Sequence, residues 1–454
     1  MLTSDTIVAV ATAPGAAALA VIRLSGDAAH AIVAAVFRPR RAGRLRPMRL
    51  RYGWVVDGHG ALVDEVLAVV MRAPHSYTAE DMAEISCHGG TLVVQRIIAC
   101  LLAAGARAAQ PGEFTLRAFL NGRIDLTRAE AVMDVVAARS ERALALAHQQ
   151  LRGALGDAIG QLREELLGAL AYCTALVDFP EDGVDALEVG EPLRRARAAA
   201  QRLLDGAAHA MRVREGARVV LCGRPNAGKS SLLNALLGHD RAIVTPYAGT
   251  TRDTIEAHAD LGGLALTLVD TAGIAPTDDP IEALGIERSH QAIASADLIV
   301  ALVDATGAVA ALHEALAHDP ARTLLVLTKC DRWPETPPLV ALAHAHAPPC
   351  AGVVAVSIHQ PATLAACASA ITTIVLGAPA DDAGAALTRP RHRDALRRAA
   401  AALDVALAGV AEHRSPDLLA LDIHDAVLAL DEITGAHVDD DLLAAIFSRF
   451  CIGK

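Results

Sequence analysis

The chain has 454 residues, of which 53% are hydrophobic and 20% charged, and its formal net charge is −11 at pH 7. This length suggests about three domains of ~150 residues each, and the hydrophobic content excludes a disordered chain. The acidic balance excludes a uniformly basic nucleic-acid coat. One local exception is the run RPRRAGRLRPMRLR at 38–51. Its simplest interpretation is a solvated loop, with a local basic patch as the alternative.

Eight cysteines occur, and none lies in a CxxC pair or at metal-ligand spacing. We therefore expect free thiols in a reducing compartment. The N-terminus MLTSDTIVAV lacks the basic and apolar regions of a signal peptide. No apolar run reaches the ~18 residues of a membrane span. These features predict a cytoplasmic protein that does not enter a membrane.

The N-terminal part of the chain has the pattern of a mixed α/β domain. The runs TIVAVATA and LAVIRLSG are rich in strand-forming residues, whereas TLVVQRIIACLLAAGA is typical of a helix with a glycine after its C-terminus. From about residue 126 the apolar residues follow a helical period. One helical stripe comprises Leu151, Leu155, Ile159, Leu162, Leu166 and Leu170. A helical pattern returns after residue 390, where Ser415-Pro416 marks a helix start.

Between these helical segments, residues 217–377 alternate apolar strands with helices, which is typical of a doubly wound α/β sheet. We predict a multidomain α/β plus all-α protein. An N-terminal α/β domain would cover 1–120, and a helical domain would be split into 121–215 and 380–454. The α/β domain at 216–379 would be inserted in the helical domain. This arrangement suggests that the inserted domain drives motion in its host.

The segment GRPNAGKS at 223–230 follows a strand and opens a helix, which is the context of a P-loop. Its backbone N–H groups would wrap a phosphate. Lys229 would reach the β- and γ-phosphates, and Ser230 would bind Mg²⁺. In DTAG, Asp270 would lie on the Mg²⁺ side and the N–H group of Gly273 would face the γ-phosphate. Asp331 in TKCD can accept both N–H donors of guanine, which favours GTP over ATP.

Three positions depart from common GTPase patterns. Thr328 stands where many GTPases have Asn, so we expect looser support of the base. The segment VSI places Ser357 and Ile358 where a loop would cover guanine, although a small residue is usual at the position of Ile358. Ile274 follows DTAG and cannot orient the attacking water as a Gln would. No arginine finger is recognisable, so another group must orient the water and offset the developing charge.

Motifs spread over the whole chain include DTIVA, RLSG, HGG, PGEFTLRAFLNGRIDL, GRPNAGKSSLLNAL, AGTTRD, DTAGI, GIERS, EITG and the terminal FCIGK. In these residues the chain resembles the MnmE (TrmE) family of tRNA-modifying GTPases. The resemblance implies a homodimer, formed through the N-terminal domains, that works with an FAD-containing partner of the MnmG (GidA) type. The two proteins would add an aminomethyl or carboxymethylaminomethyl group to C5 of wobble uridine 34 of certain tRNAs.

For the inserted domain the resemblance implies a K⁺-activated GTPase. Asn226, Thr245, Tyr247 and Thr250 would hold K⁺, which would act in place of an arginine finger. Thr251 would join Ser230 on Mg²⁺, and Arg252 and Asp253 would serve loop closure. The implied catalytic residues are Glu282, which would orient the attacking water, Lys229 and Asp270. The nucleotide-binding set would comprise Asn226, Ala227, Gly228, Lys229, Ser230, Ser231, Thr245, Pro246, Tyr247, Ala248, Gly249, Thr250, Thr251, Asp270, Thr271, Ala272, Gly273, Thr328, Lys329, Asp331, Ser357 and Ile358.

For the N-terminal domain the resemblance implies 5-formyl-tetrahydrofolate or a related folate as the source of a one-carbon unit. Its binding residues would be Arg23, Glu80, Arg123 and Lys454, with Arg123 in place of a usual Lys. The C-terminal tail would lie toward the folate region. In that tail Cys451 is a further candidate, as a nucleophile, a redox-sensitive thiol or a packed side chain.

Two further features of this domain stay open. His88 beside two glycines is either a turn residue or a folate or tRNA contact. The family often has Gly-Arg-Gly-Gly after its PPG, where this chain has Ala16, Ala17 and Ala18, so the sequence leaves open whether this loop contacts folate or tRNA.

Two other functions compete with this interpretation. A ribosome-assembly GTPase would share the P-loop and DTAG but would not need Arg23, Glu80 or the terminal CIGK. A stand-alone folate transferase with a regulatory GTPase would transfer the one-carbon unit without a partner protein.

Overall fold

A computed structural model describes residues 5–178, 189–239, 255–270, 291–304, 319–332, 350–377 and 384–454. The chain divides into two compact units. Unit 1 comprises Met1–Met133, Gly156–Phe179 and Pro416–Lys454, and unit 2 comprises Asp134–Leu155 and Pro180–Ser415. The predicted fold class, α/β sheets combined with long helical segments, is confirmed.

The strands form two sheets. Those of the first are β1 (Ile7–Val10), β2 (Ala17–Ser25), β3 (Phe37–Pro39), β4 (Arg51–Val56), β5 (Leu62–Met71), β6 (Met82–Gly89) and β7 (Arg107–Ala108). Those of the second are β8 (Ala217–Gly223), β9 (Ile255–Leu261), β10 (Leu264–Asp270), β11 (Leu298–Asp304), β12 (Thr323–Thr328) and β13 (Gly352–Val356).

The helices of the N-terminal half are α1 (Ala29–Val36), α2 (Thr91–Ala103), α3 (Glu113–Leu120), α4 (Leu126–Ala137), α5 (Glu141–Arg152), α6 (Ala154–Asp178) and α7 (Gly190–Glu215). They are followed by α8 (Lys229–His239), α9 (Pro361–Leu376), α10 (Pro390–Ala411), α11 (Pro416–Thr434) and α12 (Asp440–Phe447). Short 3₁₀ turns lie at Pro320–Arg322 and Cys330–Arg332. Within the described residues, none of the helices is both long and apolar enough to span a bilayer.

Unit 1 is built on the first sheet, whose strands lie in the order β3-β4-β5-β6-β2-β1-β7. All neighbouring strands are antiparallel except β1 and β7, which pair in parallel. The alternating side chains of β2 and β6 place Ile22, Leu24 and Ile85 in a core with α1 and α2. The predicted helix at α2 ends just before Gly105, whose φ is +107°, because glycine tolerates this conformation.

The helical stripe predicted from Leu151 to Leu170 is interrupted. Gly153 ends α5 with a left-handed φ of 102°, so Leu151 lies on α5 and is exposed. From Leu155 onward the stripe follows α6, where Ile159 and Leu166 are fully buried. The predicted start of α11 at Pro416 is confirmed. In unit 1, Arg163 of α6 donates to the buried carboxylate of Asp431 on α11 at 2.5 Å, which joins two segments far apart in sequence.

Unit 2 contains the second sheet, in the order β13-β12-β11-β8-β10-β9, and only β9 runs antiparallel. The central residues of strands β8, β11 and β12 are apolar because both faces of the sheet are covered. After β8 the chain supplies β10 on one side and β11 on the other. This is a topological switch point, and ligands of open α/β sheets bind at the carboxyl ends of the strands beside it.

The carboxylate of Asp134 binds one arginine from the segment that precedes this sheet in the chain and one from the segment that follows it. Arg214 at the end of α7 and Arg389 just before α10 both donate to Asp134 Oδ1 at 2.9 Å. Arg214 precedes β8 and Arg389 follows α9, so the chain enters and leaves the α/β region beside the same side chain. This geometry suits an inserted domain, whose two ends must lie close together.

Candidate functional site

The loop between β8 and α8 has the backbone geometry of a phosphate cradle. Gly223 has a φ of +148°, and a side chain there would lie 2.5 Å from the carbonyl oxygen of Leu302. Asn226 and Gly228 also have positive φ angles, of 62° and 96°. Such a run of alternating conformations turns successive N–H groups toward one point. The helix that follows begins at Lys229, so its N-terminus adds positive potential there.

The side chain of Lys229 is buried inside this loop. Its Nζ donates to the carbonyl oxygens of Gly223 at 2.9 Å and Arg224 at 3.1 Å. Burial lowers the pKa of Lys229, while the charge of Asp270 acts in the opposite direction. An ammonium group held against loop carbonyls is placed to exchange them for phosphate oxygens.

Ser230 and Asp270 meet beside the loop. Ser230 Oγ donates to Asp270 Oδ2 at 2.7 Å, and Asp270 is the last residue of β10. The other oxygen, Asp270 Oδ1, is buried and has no hydrogen-bond partner among the described residues. A hydroxyl beside a carboxylate with a free oxygen is a donor set that suits Mg²⁺, a hard cation that keeps several waters. The residues present therefore fit this metal.

The segment that follows β12 is tied to the phosphate loop. Thr328 Oγ1 donates to the carbonyl oxygen of Ala227 at 2.9 Å. Lys329, with a positive φ of 60°, donates to Asn226 O at 3.3 Å and to the carboxylate of Asp304 at 2.5 Å. The side chains of Thr328 and Lys329 thus hold the segment predicted to recognise the base against the loop between β8 and α8.

Asp331 lies two residues after Lys329, in the short 3₁₀ turn Cys330–Arg332. A hydrogen bond from Ser357 holds the pKa of its carboxyl group below the usual range, so the group is ionised at neutral pH. Ser357 is itself buried and receives a bond from the N–H of His359 at 3.1 Å. Ile358 beside it is 44% exposed. The structure therefore brings together a carboxylate and an exposed apolar side chain, which suit the edge and the face of a purine.

Part of the predicted nucleotide site lies outside the described residues. This part comprises Thr245, Pro246, Tyr247, Ala248, Gly249, Thr250, Thr251, Arg252, Asp253, Thr271, Ala272, Gly273, Ile274 and Glu282. It includes three of the four predicted K⁺ ligands and the residue predicted to orient the attacking water. Of the K⁺ ligands only Asn226 is described, and it is exposed on the phosphate loop.

In unit 1, two of the predicted folate residues lie on the same aromatic ring. The guanidinium carbons of Arg23 and Arg123 are 5.1 Å and 4.9 Å from the ring centre of Tyr77. Arg123 also donates to the carbonyl oxygen of Tyr77 at 2.8 Å, and Arg23 pairs with Glu84 at 2.8 Å. The site thus combines two cations with an aromatic ring, which suits a ligand that is both anionic and planar.

The C-terminal tail reaches this group of residues. Gly453 has a φ of +94°, and a side chain there would collide with the carbonyl oxygen of Val10 on β1. The carbonyl oxygen of Gly453 lies 3.5 Å from Arg23 Nη1. Lys454 is half-buried and its N–H donates to Cys451 O at 3.3 Å, whereas Cys451 is exposed. Only a glycine allows the tail to approach the first sheet so closely.

Glu80 is held by a different set of partners. It accepts bonds from Ser25 Oγ at 2.7 Å and from Arg117 Nη1 at 3.2 Å. Arg117 is only 5% exposed and also donates to Asp5 at 2.6 Å and to Glu113 at 3.1 Å. Neither Arg117 nor Tyr77 is among the residues predicted from the sequence. The i,i+4 spacing of Glu113 and Arg117 on one helix is the pattern from which the ion pair of Arg117 could have been predicted.

His88 lies in strand β6 rather than in a turn. The carboxylate of Asp64 accepts two hydrogen bonds from His88, one from the ring Nδ1–H at 2.8 Å and one from the backbone N–H at 2.9 Å. The hydrogen bond to Asp64 raises the pKa of His88. The following Gly89 is required because a side chain there would strike the backbone of Ala17. The alanines at 17 and 18 are exposed at the start of β2.

Comparison with known proteins covers almost the whole chain. Residues 6–123 match the model of the GTP-binding protein TrmE N-terminus, and residues 126–451 match that of the MnmE helical domain. The tRNA modification GTPase MnmE of Roseiflexus sp. (strain RS-1) is 50% identical over 461 residues, which cover 100% of both chains. The protein of the same name from Chloroflexus aurantiacus is 50% identical over 455 residues, 99% of this chain and 100% of the relative. The one from Symbiobacterium thermophilum is 44% identical over 460 residues, 99% of each.

Proposed function

Because this chain belongs to the MnmE family of tRNA modification GTPases, we propose that it hydrolyses GTP to drive the modification of wobble uridine 34 in certain tRNAs. The observation that carries the proposal is the arrangement of Lys229, Ser230, Asp270 and Asp331 at the carboxyl ends of parallel strands of one sheet, β8, β10 and β12. Asp331 would accept the N–H donors of guanine, and Lys229 would contact the β- and γ-phosphates. We further propose that 216–379 is the GTPase domain, inserted between helical segments 121–215 and 380–454.

Ser230 and Asp270 would hold Mg²⁺, together with Thr251. When bound, Mg²⁺ offsets negative charge on the phosphates. The pairing of Ser230 with Asp270 supports this role because both side chains are already aimed at one point. Asn226, with Thr245, Tyr247 and Thr250, would hold K⁺, which supplies the positive charge that an arginine finger gives in other GTPases. Glu282 would orient the attacking water.

In the N-terminal domain, proposed at 1–120, Arg23, Arg123 and Lys454 would bind the carboxylates and ring system of 5-formyl-tetrahydrofolate. The stacking of both guanidinium groups on Tyr77 supports this proposal. Glu80 would accept from the pterin and is oriented for this by Ser25 and Arg117. When bound, the folate supplies the one-carbon unit. Cys451 lies in the same tail as Lys454 and is accessible to ligands.

The partner would be an FAD-containing protein of the MnmG (GidA) type, which would supply the redox chemistry. The chain itself would form a cytoplasmic homodimer through its N-terminal domains. Pairing of the two GTPase domains in the presence of GTP and K⁺ would move the helical segments. The contacts of Asp134 with Arg214 and Arg389 offer a direct route for such motion, because they join the helices to both ends of the inserted domain.

The test is reconstitution of the modification. Purified protein, the FAD partner, GTP, folate and unmodified tRNA are incubated, and the tRNA nucleosides are analysed by mass spectrometry. We expect a modified uridine at position 34 with wild-type protein and none with Lys229→Ala. Arg202→Ala, which changes an exposed arginine of α7, is the matched control and should be active. GTP hydrolysis without modified uridine would contradict the proposal and favour the ribosome-assembly switch. Modification without the FAD protein would favour the stand-alone folate transferase.

A further inference from the structure

Residues 38–51, here called the basic segment, contain seven arginines and no acidic residue in a chain whose net charge is −11. All of these arginines except Arg51 are exposed. In the part of the chain that the structure describes, none of the seven forms an ion pair with a carboxylate. Arginines elsewhere in unit 1, such as Arg107 and Arg163, are paired with one. The basic segment therefore carries positive charge that the protein does not neutralise.

The backbone of this segment is shaped by hydrogen bonds. Arg51 Nη2 donates to the carbonyl oxygen of Arg41 at 2.6 Å, and the N–H of Met48 donates to Val70 on β5 at 2.9 Å. Arg38 Nη1 donates to Ala35 at the end of α1 at 3.0 Å. Arg38 and Arg51 are thus structural. The arginines that remain for a ligand are Arg40, Arg41, Arg44, Arg46 and Arg49.

Aromatic rings lie directly beside these cations. The guanidinium carbon of Arg40 lies 5.6 Å from the ring centre of Tyr52, and the rings of Tyr52 and Trp54 are 5.7 Å apart. Glu65 accepts a hydrogen bond from the Tyr52 hydroxyl and raises the pKa of Tyr52. Met48 nearby in sequence is 71% exposed. Cations that follow a phosphate backbone, combined with rings on which bases stack, are the elements of a surface that binds single-stranded nucleic acid.

We propose that the basic segment binds the sugar-phosphate backbone of tRNA. The inference rests on the proposed function, which makes tRNA the substrate. Guanidinium groups form paired hydrogen bonds with phosphate oxygens and stack on bases. A membrane surface is a poorer match, because surface-binding segments are amphipathic helices with an apolar face and 40–50 is an irregular loop. The local cluster also explains how an acidic protein contacts a polyanion.

The experiment measures tRNA affinity by fluorescence anisotropy over a series of KCl concentrations. The test variant combines Arg44→Ala, Arg46→Ala and Arg49→Ala, and a second variant has lysine at the same three positions. We expect the alanine variant to bind about 10- to 100-fold more weakly at ~0.1 M salt. The slope of log K against log salt should fall by about 2 to 3, since each lost phosphate contact removes about 1. The lysine variant should stay close to wild type.

The matched control removes three arginines from α7 in unit 2, through Arg194→Ala, Arg197→Ala and Arg202→Ala. Two of these are already paired with carboxylates, so the control should bind tRNA nearly as wild type does. GTP turnover without tRNA should be equal in all variants.

Equal affinity and salt slope in the wild type and the alanine variant would overturn the inference. So would an equal loss in the α7 control, which would indicate a general effect of net charge. If the alanine variant bound tRNA as the wild type does but no longer bound vesicles that contain phosphatidylserine, the segment would be assigned to a membrane surface instead. A wild-type protein that binds no tRNA would contradict the proposed function as well, whereas an unaffected alanine variant contradicts this inference alone.

Discussion

The hydroxyl group of Thr328 donates a hydrogen bond to the carbonyl oxygen of Ala227 at 2.9 Å. Thr328 ends β12 and Ala227 lies in the phosphate loop after β8, and the two strands are separated by β11. Both residues are buried, so this bond is shielded from water. The contact couples the segment that we propose to recognise the base to the segment that we propose to hold the phosphates. Thr328, at a position where we expected looser support of the base, thus forms a hydrogen bond with the phosphate loop.

Substitution of Thr328 by valine keeps the shape of the side chain and removes the hydroxyl. Because Ala227 O loses its partner, we expect GDP affinity to fall about 5- to 20-fold, which corresponds to a buried hydrogen bond of ~1–2 kcal/mol. Thr328→Ser retains the hydroxyl and should bind nearly as wild type. Titration with a fluorescent GDP analogue measures both. Equal affinity of the valine variant and the wild type would show that the bond does not support the nucleotide site.

The second prediction concerns acid stability. Burial would raise the pKa of Glu113, but hydrogen bonds from Arg107, the Gln110 N–H and Arg117 hold the pKa below its usual value. Glu113 therefore contributes stability above its unfolded pKa of about 4.3, and this contribution is lost as the pH falls through the lower folded pKa. We expect Glu113→Gln to cost about 2 kcal/mol at pH 7 and to lose less stability than wild type on acidification.

Urea unfolding of the full chain at pH 7 and at low pH checks this prediction. Glu191→Gln, which breaks an exposed pair with Arg194, is the control and should unfold as wild type at both pH values, because such pairs contribute little. If Glu113→Gln and wild type lost the same stability on acidification, the charge network around Arg117 would not be the source of the acid sensitivity.

The third prediction tests the aromatic ring between two arginines. Tyr77→Ala removes the ring on which Arg23 and Arg123 stack, so both guanidinium groups lose one of the contacts that orient them. We expect affinity for 5-formyl-tetrahydrofolate to fall about 10-fold, in line with the ~1–2 kcal/mol of a partly desolvated cation–π contact. Tyr77→Phe loses only the bond with Thr115 Oγ1 at 2.9 Å and should bind almost normally. Isothermal titration provides the values, and equal losses in both variants would refute a role for the ring faces.

Thiol reactivity gives the fourth prediction. Cys451 is exposed, whereas Cys87, Cys173, Cys222 and Cys367 are buried. Burial raises the pKa of Cys222 to about 11 and that of Cys367 to about 12, so few thiolate groups form there. We expect Ellman's reagent to modify Cys451 first in the native protein, and Cys451→Ser to remove this fast phase. A fast phase that survives the substitution would assign it to another thiol, such as one of the half-buried Cys100, Cys330 and Cys350.

The parts of the fold predicted from sequence are those that local patterns determine. The apolar strand, the phosphate loop and the helix start at Lys229 lie within one short stretch, and all three are found where the pattern placed them. The prediction of one helical stripe at 151–170 was wrong at its start. Gly153 ends α5, although the helical spacing of the leucines continues across this break into α6. Spacing alone does not report a left-handed residue.

The parts of the candidate site that could not be predicted depend on contacts between distant segments. Tyr77 meets Arg123 across 46 residues, and Arg117 meets Asp5 across 112. The same holds for Thr328 and Ala227, which are 101 residues apart. Neither residue type nor spacing indicates such pairs, because they arise only when strands and helices pack. The phosphate loop and Thr328 were predicted from the sequence, but the hydrogen bond that joins them was not.

The most direct test of the proposed function is GTP turnover by the purified protein in KCl and in NaCl at equal ionic strength. Equal ionic strength keeps the screening of charges the same. We predict turnover more than ~10-fold faster in K⁺, since the cation would take the place of an arginine finger in the proposed mechanism. Asn226→Ala should lose most of this preference but still hydrolyse GTP slowly. Equal turnover in both salts, or a K⁺ preference unchanged in Asn226→Ala, would contradict the cation-driven mechanism.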